Sequence, residues 1–171
     1  MHSTAATDSI SSPVKRFYWE DFTPGQVRQL GSTTVARDAV LAFAAQFDPQ
    51  PFHLDEDLAS RTVFKGLAAS GWHTAAITMR LLVDGGMPIG EGIVGVGGEI
   101  AWPRPTRPGD VLRVETEIME IAPSRTRPDR GIVTIRCETR NHKDDIVQTL
   151  LAKVVVPRRA VPADDSIERA L

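Results

Sequence analysis

The segment SGWHTAAITMRLLVDGG, residues 70–86, constrains the fold of this chain most, because it is apolar on almost every side. A helix with so little polar surface is usually buried among other elements. Ser70 is a favourable N-cap residue, and Gly85 with Gly86 makes a suitable C-terminal stop, so we expect a helix that begins at Gly71. The remaining elements must therefore enclose this one helix.

The part of the chain that precedes this helix combines one strand pattern with a second helical pattern. Residues 26–35 contain many β-branched and apolar side chains and predict a first strand. Residues 37–47 repeat apolar side chains at helical spacing, and the dipeptide Asp48-Pro49 ends that helix. A further turn of helix is expected near residues 55–60.

Apolar and polar side chains alternate with period two in the second half of the chain, as they do in strands with one buried face. The strands predicted there cover residues 94–102, 112–118, 133–140 and 147–156. Gly95 and Gly97 are expected to permit the close approach of another backbone. Successive strands with short connections favour an antiparallel sheet, so we predict an α+β protein whose sheet wraps around the helix.

The length and the termini predict one globular domain with two loose ends. A chain of 171 residues can bury a hydrophobic core without a metal or a disulfide. We expect a disordered leader at residues 1–16, a single domain at 17–157 and a loose tail at 158–171. The first residues lack the apolar core of a signal peptide, and no run of about 18 apolar residues occurs, so we expect a cytoplasmic protein with no membrane partner.

Charge and motif content argue against several functional classes. The formal net charge is −2 and the basic residues are scattered, so no nucleic-acid partner is expected. Cys137 is the only cysteine and alternates with apolar residues, which predicts a core thiol, and the four histidines show no four-residue pairing, so no metal site is expected. Phosphate-loop and nucleophile-elbow motifs are also missing, which excludes nucleotide hydrolysis and α/β-hydrolase chemistry.

The stretch FDPQPFHLDED carries the strongest candidates for chemistry, because Asp48 and His53 lie five residues apart with two prolines between them. Histidine titrates near neutrality, and a neighbouring carboxylate can orient a water or tune the ring. A loop stiffened by proline holds such groups in place at a lower entropic cost. The structural alternative is that Asp48 accepts hydrogen bonds in a helix-terminating loop while His53 packs under Phe52.

The start of the apolar helix holds the second candidate, the backbone N–H of Gly71. The first N–H groups of a helix have no internal partner and suit an oxygen that gains negative charge. The alternative is that Ser70 and Gly71 form only a cap and a close packing point. His73 is expected to be a core histidine with its hydrogen bonds satisfied. Arg104 and Arg107 border a loop and are expected to contact either a phosphate-bearing ligand or solvent.

Three stretches of the chain resemble the MaoC-like dehydratases, a family that includes the (R)-specific enoyl-CoA hydratases. They are FAAQFDPQPFHLDED, FKGLAASGWHTAAITMRLL and WPRPTRPGDVLRVETEI, and the resemblance covers roughly residues 20–157. It implies a hot-dog fold, in which an antiparallel sheet wraps a long central helix and copies usually dimerise through their sheets, so a homodimer or a higher homo-oligomer is expected. It also implies reversible addition of water to a 2-enoyl-CoA thioester, with no metal or redox cofactor.

The resemblance further implies a role for each candidate. Asp48 and His53 would hold and activate the water that attacks the β-carbon and would supply the proton to the α-carbon. The N–H of Gly71 would bind the thioester oxygen. Ser70 would bind substrate together with Gly71. Gln50 and Pro51 would support the loop that carries Asp48 and His53.

Three positions depart from the pattern common in this family. Many of its hydratases have asparagine where this chain has Gln50, histidine where it has Ser70, and often a serine on the central helix where it has Met79. These departures leave the aspartate and the histidine in place. Two alternatives therefore stay open, a hot-dog acyl-CoA thioesterase and a non-catalytic acyl-binding module.

Overall fold

Five antiparallel strands form one sheet in the computed structural model, which describes residues 16–85, 87–90 and 92–159. In chain order the strands are β1 (Val27–Thr34), β2 (Val94–Ala101), β3 (Val111–Pro123), β4 (Arg130–Arg140) and β5 (Ile146–Pro157). Their order across the sheet is β1-β3-β4-β5-β2, so β1 and β2 are its edge strands. The predicted α+β class with an antiparallel sheet is confirmed.

All the α-helices of the described part of the chain lie between β1 and β2. They are α1 (Arg37–Phe47), α2 (Pro51–Leu54), α3 (Glu56–Ser60) and α4 (Gly71–Asp84), and a 3-10 turn at Trp19–Asp21 precedes β1. The predictions for α1 and for the start of α4 are confirmed. The predicted loop after α1 instead contains α2, because Pro51 occupies a first helical position, where its fixed φ suits the helix and its missing N–H costs nothing.

The predicted leader at residues 1–16 and the predicted tail at 158–171 lie outside the described residues, apart from Arg16, Arg158 and Arg159. In the part of the chain that the structure describes, no helix is long and apolar enough to cross a membrane.

The inner face of α4 packs on the sheet. Leu81 and Leu82 belong to the same core cluster as Val114 of β3 and Ile135 of β4. Full burial of such an aliphatic side chain contributes about 1.5–3 kcal/mol. The cluster therefore holds the C-terminal half of α4 against the sheet.

The outer face of α4 consists of Trp72, Ala76, Met79 and Val83, and it is exposed. The exposed fractions are 60% for Trp72, 44% for Met79 and 59% for Val83. The prediction that this helix is buried is therefore wrong for one face, because a single sheet covers only one side of it. An apolar stripe of this kind on a protein surface is typical of an interaction site.

The period-two pattern of the inner strands is confirmed. The buried positions of β3 are Leu112, Val114, Thr116 and Ile118, and those of β4 include Val133, Ile135 and Cys137. Burial raises the pKa of the Cys137 thiol to about 12, so this side chain behaves as a core residue, as predicted.

The glycines of β2 differ from the prediction. The register between β2 and β5 shifts between Gly95 and Gly97, which marks an irregularity of the β-bulge kind. A Cβ added at either position would meet only open space. The glycine that backbone actually approaches is Gly98, where an added Cβ would lie 2.5 Å from the carbonyl oxygen of Leu151.

Candidate active site

Three helix ends meet around one cavity. Asp48 is the C-cap residue of α1, His53 lies in the short helix α2, and Gly71 is the first residue of α4. All three line a cavity of about 520 Å³. The fold therefore brings together the three residues that the sequence singled out.

The carboxylate of Asp48 accepts two side-chain hydrogen bonds. The hydroxyl of Ser70 donates to Oδ2 over 2.6 Å, and the amide of Gln50 donates to Oδ1 over 2.7 Å. Partial burial opposes ionisation, but the hydrogen bonds from Ser70 and Gln50 and the nearby His53 outweigh it, so the pKa of Asp48 is lowered below its usual value. Asp48 is thus a carboxylate at neutral pH, in a fixed orientation.

The ring of His53 is held in one orientation and is 5% exposed. Its Nδ1 lies 2.8 Å from the carbonyl oxygen of Ala68. Because a carbonyl oxygen can only accept, Nδ1 carries the proton of the neutral ring and Nε2 has a free lone pair. That Nε2 lies 3.4 Å from Oδ2 of Asp48, and Phe52 packs edge-on against the ring at 4.6 Å. The packing expected from the structural alternative thus coexists with an orientation suited to a base.

Ser70 faces Asp48 and not the cavity. It is fully buried, donates to Asp48 as described above, and accepts a 3.2 Å hydrogen bond from the backbone N–H of Trp72. The predicted N-cap is confirmed. The family resemblance implied that Ser70 binds substrate. In the structure its hydroxyl instead donates to the Asp48 carboxylate and orients it.

Gly71 lies under the ring of Trp102. A Cβ added at Gly71 would be 2.8 Å from two carbon atoms of the indole, so a larger residue would have to displace that ring. As the first residue of α4, Gly71 has an N–H for which the helix itself provides no acceptor. Because Gly71 also lines the cavity, its N–H is available to a ligand there.

The loop arginines have distinct environments. The Arg107 guanidinium donates to three backbone carbonyls near the site, those of Phe64, Gly66 and Leu67. Arg107 thus holds the backbone of residues 64–67 in place. The expected contact of this side chain with a phosphate or with solvent is replaced by these hydrogen bonds. Arg104 lines the cavity with a side chain that is 63% exposed, and its guanidinium lies 3.3 Å from the carboxylate of Asp145.

Several residues of the site were not singled out from the sequence. Thr74 and Thr106 line the cavity with a 2.9 Å hydrogen bond between their hydroxyls, and both side chains are almost fully buried. Trp102 forms a wall, and its Nε1 donates to Gln148 over 2.9 Å. The spacing of Thr74 and Thr78 on an otherwise apolar helix is a signal that could have indicated a polar stripe beside the site.

His73 is in the core, as predicted, but its hydrogen bonding is not as predicted. Its ring is 8% exposed and stacks on Phe43 with 4.7 Å between centroids, and its Nδ1 has no partner among the described residues. Burial lowers the pKa of His73, so the neutral ring is favoured. This histidine connects α1 to α4 behind the site. No group of three or more metal-ligating side chains occurs within the described ranges.

Comparison with known proteins identifies the family. A family model described as a MaoC-like domain matches residues 21–140 of the chain. The chain belongs to the MaoC-like dehydratase family. This MaoC-like protein is also similar to the crystal structure of a MaoC-like dehydratase from Rhodospirillum rubrum, with 54% identity, a TM-score of 0.82, and coverage of 85% of this chain and 99% of that one.

Two curated relatives carry named activities. The 3-hydroxybutyryl-CoA dehydratase of Methylorubrum extorquens is 30% identical over 83% of this chain and 85% of its own length. The (R)-specific enoyl-CoA hydratase of Rhodospirillum rubrum is 30% identical over 83% of this chain and 93% of its own length. Together with the family match, these findings confirm the hot-dog fold and the hydro-lyase class expected for this MaoC-like protein.

Proposed function

We propose that this MaoC-like protein reversibly adds water to the double bond of a 2-enoyl-CoA thioester, with Asp48 and His53 as its catalytic residues. The observation that carries the proposal is the convergence of Asp48 Oδ2 and His53 Nε2, 3.4 Å apart, on a cavity that Gly71 also lines. The acyl-CoA activities in the names of the two curated relatives support this substrate class.

The two side chains divide the work on the water molecule. A water in the cavity donates one hydrogen bond to the Asp48 carboxylate and the other to Nε2 of His53. As the water oxygen attacks the β-carbon, Nε2 takes its proton, and the imidazolium that forms is stabilised by the adjacent carboxylate. The same proton then passes to the α-carbon, so that one hydroxyl and one hydrogen are added in total.

The electrons of the double bond move toward the thioester carbonyl during the attack. The thioester oxygen then carries enolate charge, and the N–H of Gly71 donates a hydrogen bond to it. The positive end of the α4 dipole adds to this stabilisation. Since base, acid and oxyanion donor are all supplied by the protein, the proposed reaction uses no metal or redox cofactor, and an acyl-CoA substrate is consistent with a cytoplasmic location.

A second copy of the chain is the proposed partner of the outer face of α4. The four apolar side chains of that face lie on the same molecule as the edge strand β2, where Val94 and Val96 are each 57% exposed. An apolar helix face and a free strand edge can both be covered by a symmetry-related copy. We therefore propose a homodimer, with the α4 outer faces and the β2 strands at or near its interface.

The proposed reaction is tested with purified protein and 2-enoyl-CoA esters. Loss of the enoyl absorbance is followed for the wild type, Asp48→Asn and His53→Ala. Loss of either group is expected to lower kcat/KM by about 10²- to 10⁴-fold, because each takes part in the proton transfers. Circular dichroism of each variant serves as the control for folding.

The same experiment separates the alternatives. Release of free thiol without loss of the double bond would indicate a thioesterase, and binding of acyl-CoA without any turnover would indicate a binding module. Wild-type hydration rates in both variants would show that Asp48 and His53 are not the catalytic residues.

A further inference from the structure

Trp102 is a wall of the cavity that is fixed from the protein interior. Its ring lies directly over Gly71, at the 2.8 Å distance from an added Cβ described above. Its Nε1 donates to Oε1 of Gln148 over 2.9 Å, and the Gln148 side chain is fully buried. The indole is thus held in one orientation, although 38% of its surface is exposed.

The space behind Trp102 is occupied by a buried polar cluster, Gln148, Thr78 and Thr139. The amide nitrogen of Gln148 donates to the hydroxyl of Thr78 over 3.0 Å, and the Thr78 and Thr139 hydroxyls are 2.7 Å apart. Thr78 also donates to the backbone carbonyl of Thr74 over 2.9 Å. Because an indole N–H can only donate, the carbonyl oxygen of the Gln148 amide must face Trp102, and its nitrogen must face Thr78. The direction of each hydrogen bond in the cluster is thereby fixed.

An alkyl chain cannot readily enter this cluster. To pass Trp102, the chain would have to displace Gln148 or Thr78, whose partners would then be buried without hydrogen bonds. The loss from such unsatisfied groups exceeds the gain from burying a few methylenes. The interior behind Trp102 is therefore closed to long apolar chains.

The exposure of the lining residues indicates which end of the cavity holds each part of the substrate. Val63 lines the outer end and is 87% exposed, whereas Thr74 and Thr106 line the inner end and are 1% and 3% exposed. Coenzyme A is large and carries phosphates, so it stays at the outer end. The acyl group then lies at the inner end, between the Trp102 ring and the hydroxyl pair.

We propose that Trp102, held by Gln148, is a specificity-determining residue that restricts the site to short acyl chains. The inference rests on the proposed hydratase function, of which it names the substrate class. A wall of this rigidity resists displacement by a longer chain, because moving the indole would break a buried hydrogen bond.

The test compares four-carbon and eight-carbon 2-enoyl-CoA esters with the wild type, Trp102→Leu and the more conservative variant Trp102→Phe. The wild type is expected to prefer the four-carbon ester in kcat/KM. Trp102→Leu opens the wall and should move the eight-carbon to four-carbon ratio upward by about 10- to 200-fold. Trp102→Phe keeps a flat ring but lacks the indole N–H that donates to Gln148, so its ratio should move upward by less than that of Trp102→Leu. Gln148→Leu frees the indole and should move the ratio in the same direction as Trp102→Leu, by a smaller factor.

Other outcomes would overturn the inference. They are equal use of both esters by the wild type, or a Trp102→Leu variant whose kcat/KM changes by one common factor for both chain lengths. If the wild type hydrates neither ester, the proposed function fails, and the inference is then decided by calorimetric binding of butyryl-CoA and octanoyl-CoA. A rise in the relative affinity for octanoyl-CoA in Trp102→Leu supports it, while an unchanged ratio, or no binding by any variant, overturns it. Thermal melting of each variant identifies a loss of folding, for which Trp102→Phe is the milder change.

Discussion

The N-terminus of α4 and its outer face differ in whether their side chains find partners within the chain. At its N-terminus, the hydroxyl of Ser70, the carboxylate of Asp48 and the Nδ1 of His53 all have hydrogen-bond partners within the chain. On its outer face, four apolar side chains are exposed to solvent. The difference teaches that the polar contacts of Asp48, His53 and Ser70 are made within one copy of the chain, whereas the apolar outer face of α4 is left exposed by that copy, which is why we propose that a second copy covers it.

The largest expected effect tests the oxyanion donor at the start of α4. Gly71→Pro removes the N–H, and Gly71→Ala adds a Cβ but keeps the N–H. Proline is compatible with this first helical position, since the preceding Ser70 already has φ −55° and ψ 141°. Relative to Gly71→Ala, we expect Gly71→Pro to lower kcat for enoyl-CoA hydration by about 10²- to 10³-fold.

Both substitutions add a Cβ that crowds the Trp102 ring, so this steric effect is common to the two variants, and only Gly71→Pro also replaces the N–H with a ring carbon. Steady-state kinetics and thermal melting are measured for each. Equal kcat values in the two variants would mean that the N–H of Gly71 does not bind the thioester oxygen, and that the N-terminus of α4 has only a packing role.

An intermediate effect is expected from charge on the outer face of α4. Met79→Asp combined with Val83→Asp should convert the proposed dimer to monomer, because two carboxylates would have to be desolvated at each half of the interface. Light scattering coupled to gel filtration measures the mass. Met119→Asp is a matched control, since Met119 is 42% exposed on β3 and Met79 is 44% exposed.

The control should keep the mass of the wild type. A wild type that is already monomeric, or a double variant that stays dimeric, would contradict the assignment of this face to a second copy. If the monomer retains its folded circular dichroism spectrum, hydration assays of it show whether the polar site works within a single copy.

The smallest expected effect concerns the pKa of Asp48. Ser70→Ala removes one of the hydrogen bonds that lower this pKa, so the pKa should rise. If the ionised carboxylate is required, activity is lost as pH falls through that pKa, and the acid limb of the kcat/KM profile should move to higher pH. The loss of the cap should also cost about 1 kcal/mol of unfolding free energy.

Gln50→Ala is the companion variant, because Gln50 also donates to Asp48 but its side chain makes no cap hydrogen bond to α2, of which it is the N-cap residue. It should shift the acid limb in the same direction and leave the melting temperature close to that of the wild type. An acid limb that is unmoved in both variants would show that the titration of Asp48 does not control the rate.

Much of the local structure was predictable because its causes are local. The period of apolar side chains identified α1 and the strands, and Ser70 marked the start of α4. Asp48 and His53 were identified because proline, aspartate and histidine at that spacing restrict what a short loop can do. The short helix α2 was missed, since a proline both ends one helix and begins another, and only packing decides between the two.

What the sequence determined by itself was the order of the helices and strands, the candidate residues for proton transfer and the family that they resemble. Tertiary structure decided which groups meet. It placed Gln148 of β5 behind Trp102, turned Ser70 toward Asp48 and left one face of an apolar helix uncovered. The physical reason is that periodicity and turn chemistry act over a few residues, whereas these contacts join residues that are 22 or 46 positions apart and depend on how the sheet folds around the helix.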